Sequence, residues 1–244
     1  MHRIGLLLAL LGSLVTGCSE RHPTRQGSYF PLTPDMRWTY RVTTEVAGRV
    51  ERREFVAYNS EPETLKGLPH SVRITSEGTR YYLRNVDEGV YRNGKRTIVE
   101  TEVRMDNDPH WVLKRPYQTG TSWSNLTYPY VLRRISPYEQ TLTRGSALKM
   151  AYQISQLDAQ VDVPAGHFEQ CLLVEGEAQL TLYADGREGY QDIEINTREW
   201  YAPGVGLVKL VREEPMSGSV FSGGKVVFEL IGVEHCIADN ALAV

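Results

Sequence analysis

Apolar side chains recur at every second position along most of this chain, a spacing suited to a pleated strand with one packed face. Trp38, Tyr40, Val42, Thr44 and Val46 alternate with Thr39, Arg41, Thr43, Glu45 and Ala47, and Leu172, Val174, Gly176, Ala178, Leu180 and Leu182 hold the even positions of a second run. Residues 149–163 repeat the pattern, with Met150, Tyr152 and Ile154 and then Leu157, Ala159, Val161 and Val163 facing one way. No stretch beyond the N-terminal segment combines helical periodicity with freedom from glycine and proline, so no long helix is expected. The fold class is therefore all-β. About ten or eleven short strands in an antiparallel meander need a curved sheet, a partly open β-barrel or two stacked sheets, and the curved sheet is preferred.

Breakers set the expected strand limits. Gly48-Arg49 permits a turn into a return strand at 50–59, 62–69 reads as a loop between Pro62 and Pro69, and further strands are expected at 71–76, 79–85 and 89–92. Asn93-Gly94 is the strongest hairpin signal, because both residues tolerate the positive φ of a type I′ turn. The run 95–105 would follow it, Asp106 to Pro109 would interrupt it, and another strand is expected around 128–135. Later strands fall at 190–201, 205–212 and 226–234, with 217–224 as a flexible connection before the last. Pro31 precedes Trp38 by seven positions as Pro116 precedes Trp123, an echo too sparse to define a repeat.

The N-terminus carries a different message. Met1-His2-Arg3 forms a short positive head, residues 4–11 are apolar except for Gly5, and Leu14-Val15-Thr16-Gly17-Cys18 follows. The apolar part is too short to span a bilayer and fits a cleaved export leader. Leu14 to Cys18 resembles the lipobox of bacterial lipoproteins. That resemblance implies a thioether-linked diacylglycerol on Cys18, cleavage before it, acylation of the new terminus by a chain such as palmitate, and anchoring in the envelope. Ser19 in place of Asp implies sorting to the outer membrane, facing the periplasm. The expected organisation is a signal peptide at 1–17, a lipidated terminus and tether at 18–28, and one β-rich domain at 29–244. The chain has 27 Lys plus Arg against 30 Asp plus Glu, a formal charge of -3, which argues against nucleic acid as a partner.

The residues that can carry chemistry form no recognised catalytic or metal signature, and no cofactor is expected. The histidines lack HExxH or paired-cysteine spacing; His167 follows Pro164-Ala165-Gly166 and reads as a turn residue. Ser146-Ala147-Leu148-Lys149 matches SxxK, but that pairing works on a helix and this stretch begins a strand. Glu175, Glu177, Asp192, Glu194 and Glu199 are the acidic candidates; the first two oppose the apolar face, where solvent gives no poised acid. Asp106-Asn107-Asp108 lacks the rest of a calcium loop. With Cys18 lipidated, Cys171 and Cys236 are left as an even pair in an oxidising compartment, either joined as a disulfide or retained as two buried thiols. Trp38, Tyr40, Trp111, Trp123, Tyr128 and Tyr130 are the candidate aromatic binding surface, with a strand core as the alternative.

Three stretches carry a wider resemblance: Tyr29-Phe30-Pro31 leading to Trp38-Thr39-Tyr40; Val163-Pro164-Ala165-Gly166-His167-Phe168 leading to Cys171; and Trp200-Tyr201-Ala202-Pro203-Gly204-Val205-Gly206-Leu207-Val208-Lys209. Together they resemble a group of uncharacterised bacterial envelope lipoproteins with an all-β meander. More distantly the layout is similar to the open half-barrels that carry or receive lipoproteins, which implies a concave face for an acyl chain and assigns no residue to it. The leading expectation is a non-catalytic membrane-anchored lipoprotein that binds an envelope protein, a peptide or an amphipathic ligand, in envelope assembly or maintenance. The alternatives are a glycan hydrolase using paired carboxylates and a structural spacer.

Overall fold

A computed structural model of the chain describes residues 28–142 and 146–235. The expected leader, Cys18, most of the tether and Cys236 lie outside the described residues. Strands β1 (Met36–Val46), β2 (Arg49–Leu65), β3 (Leu68–Thr75), β4 (Arg80–Val86), β5 (Gly89–Arg96) and β6 (Arg104–Lys114) form one antiparallel meander. A second run comprises β7 (Ser122–Thr127), the two-residue strands β8 (Arg133–Arg134) and β9 (Gln140–Thr141), and then β10 (Leu148–Val163), β11 (Gly166–Tyr183), β12 (Tyr190–Ala202), β13 (Gly206–Ser217) and β14 (Phe221–His235). No helix occurs among the described residues.

First and last strands join the two runs. Trp38 on β1 lies opposite Val233 on β14, and Val42 opposite Phe228. The resulting order, β6-β5-β4-β3-β2-β1-β14-β13-β12-β11-β10-β7, brings the sheet round into a nearly closed barrel with one unsealed seam, between β6 and β7. Of the alternatives left by the sequence, the partly open barrel describes the molecule better than an open curved sheet. The alternating residues point inward as their period requires: Leu172 and Val174 are fully buried, while Glu175 and Glu177 are exposed. On β10 the inward phase changes after Ile154, because bulges shift the pairing with β11 between Ile154 and Val161. Both apolar sets therefore face the core.

Several strand limits differ from those expected. Residues 62–69 form no loop: β2 runs to Leu65 and β3 starts at Leu68, with Lys66 and Gly67 at φ 52° and 77° making the tight turn. Pro62 falls where the pairing register shifts, so its missing N–H breaks no ladder bond there. Asn93-Gly94 makes no hairpin either, since both lie inside β5. Gly94 is needed for space, as a Cβ there would come within 2.9 Å of the Arg104 carbonyl oxygen. The chain reverses instead at 97–103, where the Glu100 carboxylate accepts bonds from the Thr97 N–H and hydroxyl at 2.7 and 2.9 Å. Likewise 217–224 is not a loop: β13 reaches Ser217 and β14 begins at Phe221. Gly223 and Gly224 fit a strand there because neighbouring backbones leave no room for a side chain.

Of the strand expected at 128–135 only Arg133–Arg134 is extended, as β8, and the edge strand β7 lies before it at Ser122–Thr127. Residues Tyr128 to Leu132 instead form a strap held by two buried charges on β13. The Glu214 carboxylate accepts the N–H groups of Tyr130, Val131 and Leu132 at 2.7, 2.8 and 2.9 Å. Arg212 donates to Glu214 at 2.7 Å and to the Tyr128 carbonyl at 3.1 Å, and its guanidinium lies 4.2 Å from the Tyr130 ring centroid. Every acceptor is matched, which is the condition under which a buried ion pair can be tolerated. Replacing Glu214 by alanine leaves Arg212 and three N–H groups without their acceptor and should cost about 3–5 kcal/mol in urea unfolding. The partly exposed Glu213→Ala should change stability by only about 0.5 kcal/mol. Equal losses would remove the strap from the account.

Candidate functional site

At the seam, edge strands β6 and β7 are linked through a side chain. The Trp111 N–H donates to Asn125 Oδ1 at 2.9 Å, and Asn125 Nδ2 donates to the Trp111 carbonyl at 2.8 Å. The buried amide of Asn125 thus takes the place of a strand partner. Past it β6 bulges: Arg92 of β5 pairs with His110 and Gly94 with Met105, so Asp106 to Pro109 stand against Asn93 alone. Arg92 braces this bulge through Asp106, with contacts of 2.6 and 3.0 Å. The expected interruption at 106–109 is therefore a bulge within β6, and it opens a wedge between the edges.

Two cavities meet there. An outer one of about 700 Å³ fills the wedge, and an inner one of about 300 Å³ lies within the barrel. Arg92, His110 and Asn125 line both. Burial and the nearby Arg92 push His110 down to about 4, so it is neutral at pH 7.

The inner walls are aromatic. Trp123 on β7 and Tyr152 on β10 are cross-strand partners whose rings stack with centroids 5.7 Å apart and planes 11° apart. Gly176, the partner of Tyr152 on β11, makes this placement possible, because a Cβ there would lie 2.8 Å from the Tyr152 ring. Trp123 is 7% exposed, and its indole N–H has no hydrogen-bond partner among the described residues. A buried donor of this kind is satisfied by an acceptor that enters the cavity, from a water or from a ligand.

Beside Arg92, Glu199 and Arg73 bring charge to the inner cavity. Among the described residues, Glu199 is the only carboxylate in its lining. Burial raises its pKa above the ordinary carboxylate value, opposed by the hydrogen bond donated by the Tyr201 hydroxyl and by Arg212. Arg73 is held between Phe30 and Trp38, 4.1 and 4.3 Å from their ring centroids, and donates to Asn59 Oδ1 at 3.0 Å and the Pro31 carbonyl at 2.8 Å. Burial lowers its pKa to about 10, so it remains a cation at neutral pH.

The six aromatic candidates separate into distinct places. Trp111, Trp123 and Tyr130 line the inner cavity and Tyr128 the outer one. Trp38 and Tyr40 instead belong to the core, with the indole N–H donating to the Val205 carbonyl at 2.7 Å and the phenol to the Leu207 carbonyl at 2.8 Å. Glu175, Glu177, Asp192 and Glu194 are exposed on the outer face and do not reach the cavity. His167 sits near the β10–β11 turn, its pKa raised by the Asp162 carboxylate 2.8 Å away. Lys149 lies on a strand, so SxxK has no helix to assemble on. Cys171 is buried, its thiol pushed up to about 12 by burial. Sequence reasoning missed Arg73, Asn125 and Tyr152. A polar Asn125 in the inward phase of Trp123 was the available signal for the seam.

No protein-family model matches this chain, and no curated protein sequence does. Among solved structures, a candidate lipoprotein from Parabacteroides distasonis aligns with 16% identity and a TM-score of 0.44, over 85% of this chain and 99% of that one. A candidate exported protein with a YmcC-like fold from Bacteroides fragilis aligns with 13% identity and a TM-score of 0.39, over the same shares of the two chains.

Glu199 gives a pH test. Its unfolded carboxyl ionises at the ordinary value and its folded one at higher pH, so stability contributed by the protonated native group is lost as pH rises through that interval. Glu199→Gln should therefore raise the melting temperature at pH 7, and the difference should shrink toward pH 4. A constant difference across that range would contradict the assignment. Gly176→Ala should cost about 1–3 kcal/mol by displacing the Tyr152 ring, and near-ultraviolet circular dichroism should report the broken Trp123–Tyr152 stack.

Proposed function

We propose that this chain is a lipid-anchored envelope protein that binds an amphipathic ligand in the barrel cavity and performs no chemistry on it. The observation that carries the reading is the buried Trp123 N–H, without a partner among the described residues, in an aromatic cavity of about 300 Å³ that borders the unsealed seam. Aromatic faces suit the apolar part of a ligand, while Trp123, Glu199 and Arg73 offer fixed polar contacts, the usual division of labour in a small-molecule site. A glycosidase needs two carboxylates facing one bond. Glu199 is alone in the cavity lining, and the paired candidates point to solvent.

Cys18 supplies the anchor in this reading, with 18–28 as tether and Ser19 directing the protein to the outer membrane, where the β-rich body faces the periplasm. The Cys171–Cys236 disulfide belongs to the same reading. Mature oxidised protein should then be two hydrogens lighter than the reduced form, whereas two alkylatable thiols in freshly isolated protein would exclude the bond.

The direct test is to purify the full lipidated chain from its own envelope and analyse the released small molecules by mass spectrometry. One amphipathic species should appear at about one per chain and be lost in Leu210→Trp, which fills the cavity. Wild type and variant that carry the same small molecules, or none, would contradict ligand binding in the barrel.

A further inference from the structure

We propose that the wedge between β6 and β7 is an anion-binding mouth, and that the ligand is an anionic amphiphile whose phosphate or carboxylate rests on Lys95, Arg104 and Lys149 while its apolar body passes Asn125 into the inner cavity. The proposal rests on the inner cavity being a ligand site and adds the chemical class of what enters it.

Charge in the wedge is unbalanced. Arg92, Lys95, Arg104 and Lys149 line it against Asp106 and Asp108. Asp106 is committed to Arg92 through two contacts. Among the described residues Arg104, itself exposed, pairs with half-buried Glu100 at 3.3 Å. Lys95 and Lys149 have no ion-pair partner among the described residues. Burial, with repulsion from Arg92 and Arg104 and against the attraction of Asp106 and Glu100, lowers the pKa of Lys95. An anion placed there relieves that repulsion. The wedge is also apolar where a head group would give way to a tail: Leu126 and Tyr128, 63% and 41% exposed, line it beside the cations.

The wall shared with the inner cavity sets the orientation. Arg92, His110 and Asn125 border both spaces, so a molecule seated on the lysines has its apolar part directed toward the Trp123–Tyr152 stack. The Trp123 N–H then meets an ester or hydroxyl oxygen of the ligand. An extended peptide added as a strand fits less well. The β6 edge is broken by the four-residue bulge and by Pro109, which has no N–H to donate, so a continuous ladder cannot form there.

The test is calorimetric titration of the mature lipidated chain in zwitterionic nanodiscs, against empty discs, with hexyl phosphate, hexyl glucoside and inorganic phosphate. Hexyl phosphate should bind at one site, more tightly than inorganic phosphate. The Lys95→Ala/Lys149→Ala double variant should weaken it about tenfold while leaving hexyl glucoside unchanged. Equal binding of hexyl phosphate and hexyl glucoside, indifferent to the two lysines, would overturn the anionic mouth and leave the cavity as a neutral ligand site. Inorganic phosphate binding as tightly as hexyl phosphate would assign the mouth to a free anion and overturn the amphiphile. Failure of all three to bind would remove the cavity reading together with this one. Protection of the β7 edge amides by an added extended peptide, with no heat from hexyl phosphate, would reassign the wedge to strand addition.

Discussion

Two hydrogen bonds between the Asn125 amide and the Trp111 backbone mark the place where this barrel stops being a continuous ladder. Elsewhere each strand of the main path has backbone partners on both sides, and its inward side chains pack into three clusters. At the seam a side chain substitutes for a strand, and the bulge at Asp106 to Pro109 prevents the edges from zipping further. An open edge is normally a liability for aggregation. Here a bulge, a proline and several cations occupy it, which are the devices by which edges are kept from pairing with other chains.

The cavity survives because fixed contacts hold its walls. Arg212 and Glu214 fix the strap at Tyr128 to Leu132, which positions Tyr130 over the lumen. Gly176 lets Tyr152 lie flat, and Tyr152 in turn supports Trp123. Arg73 is clamped by two rings and two acceptors. These groups are preorganised, so a ligand would meet a formed site and lose little free energy in ordering it. The chain enters the barrel at the other end, where the Ser28 carbonyl accepts the Gly204 N–H near the β12–β13 turn, whereas the wedge flanks the start of β10.

Period-two spacing made the β architecture legible, since strands buried on one face must alternate whatever their neighbours. Residues 36–46 and 172–182 behave in this way. Turn chemistry was less informative. Asn93-Gly94 has the composition of a tight turn, but Gly94 serves instead to let the β6 backbone pass, a long-range demand invisible to local reading. The strap escaped notice because its determinants, Arg212 and Glu214, lie more than eighty residues from the backbone groups they hold. The aromatic candidates were identified by type, yet their alternation could not separate Trp38 in the core from Trp123 beside a cavity. That difference depends on whether a partner carbonyl stands opposite the indole N–H. Trp38 and Trp123, the pair in the faint proline–tryptophan echo, do sit on the first strands of the two meanders.

Amide hydrogen exchange across the seam decides whether the barrel is open there. Fast exchange is expected along the β6 and β7 edges at 104–110 and 124–127, strong protection on β11 and β12, and slowed exchange at the seam alone when hexyl phosphate is added. Protection of β6 and β7 equal to that of the central strands in the free protein would mean that the barrel is sealed and has no mouth.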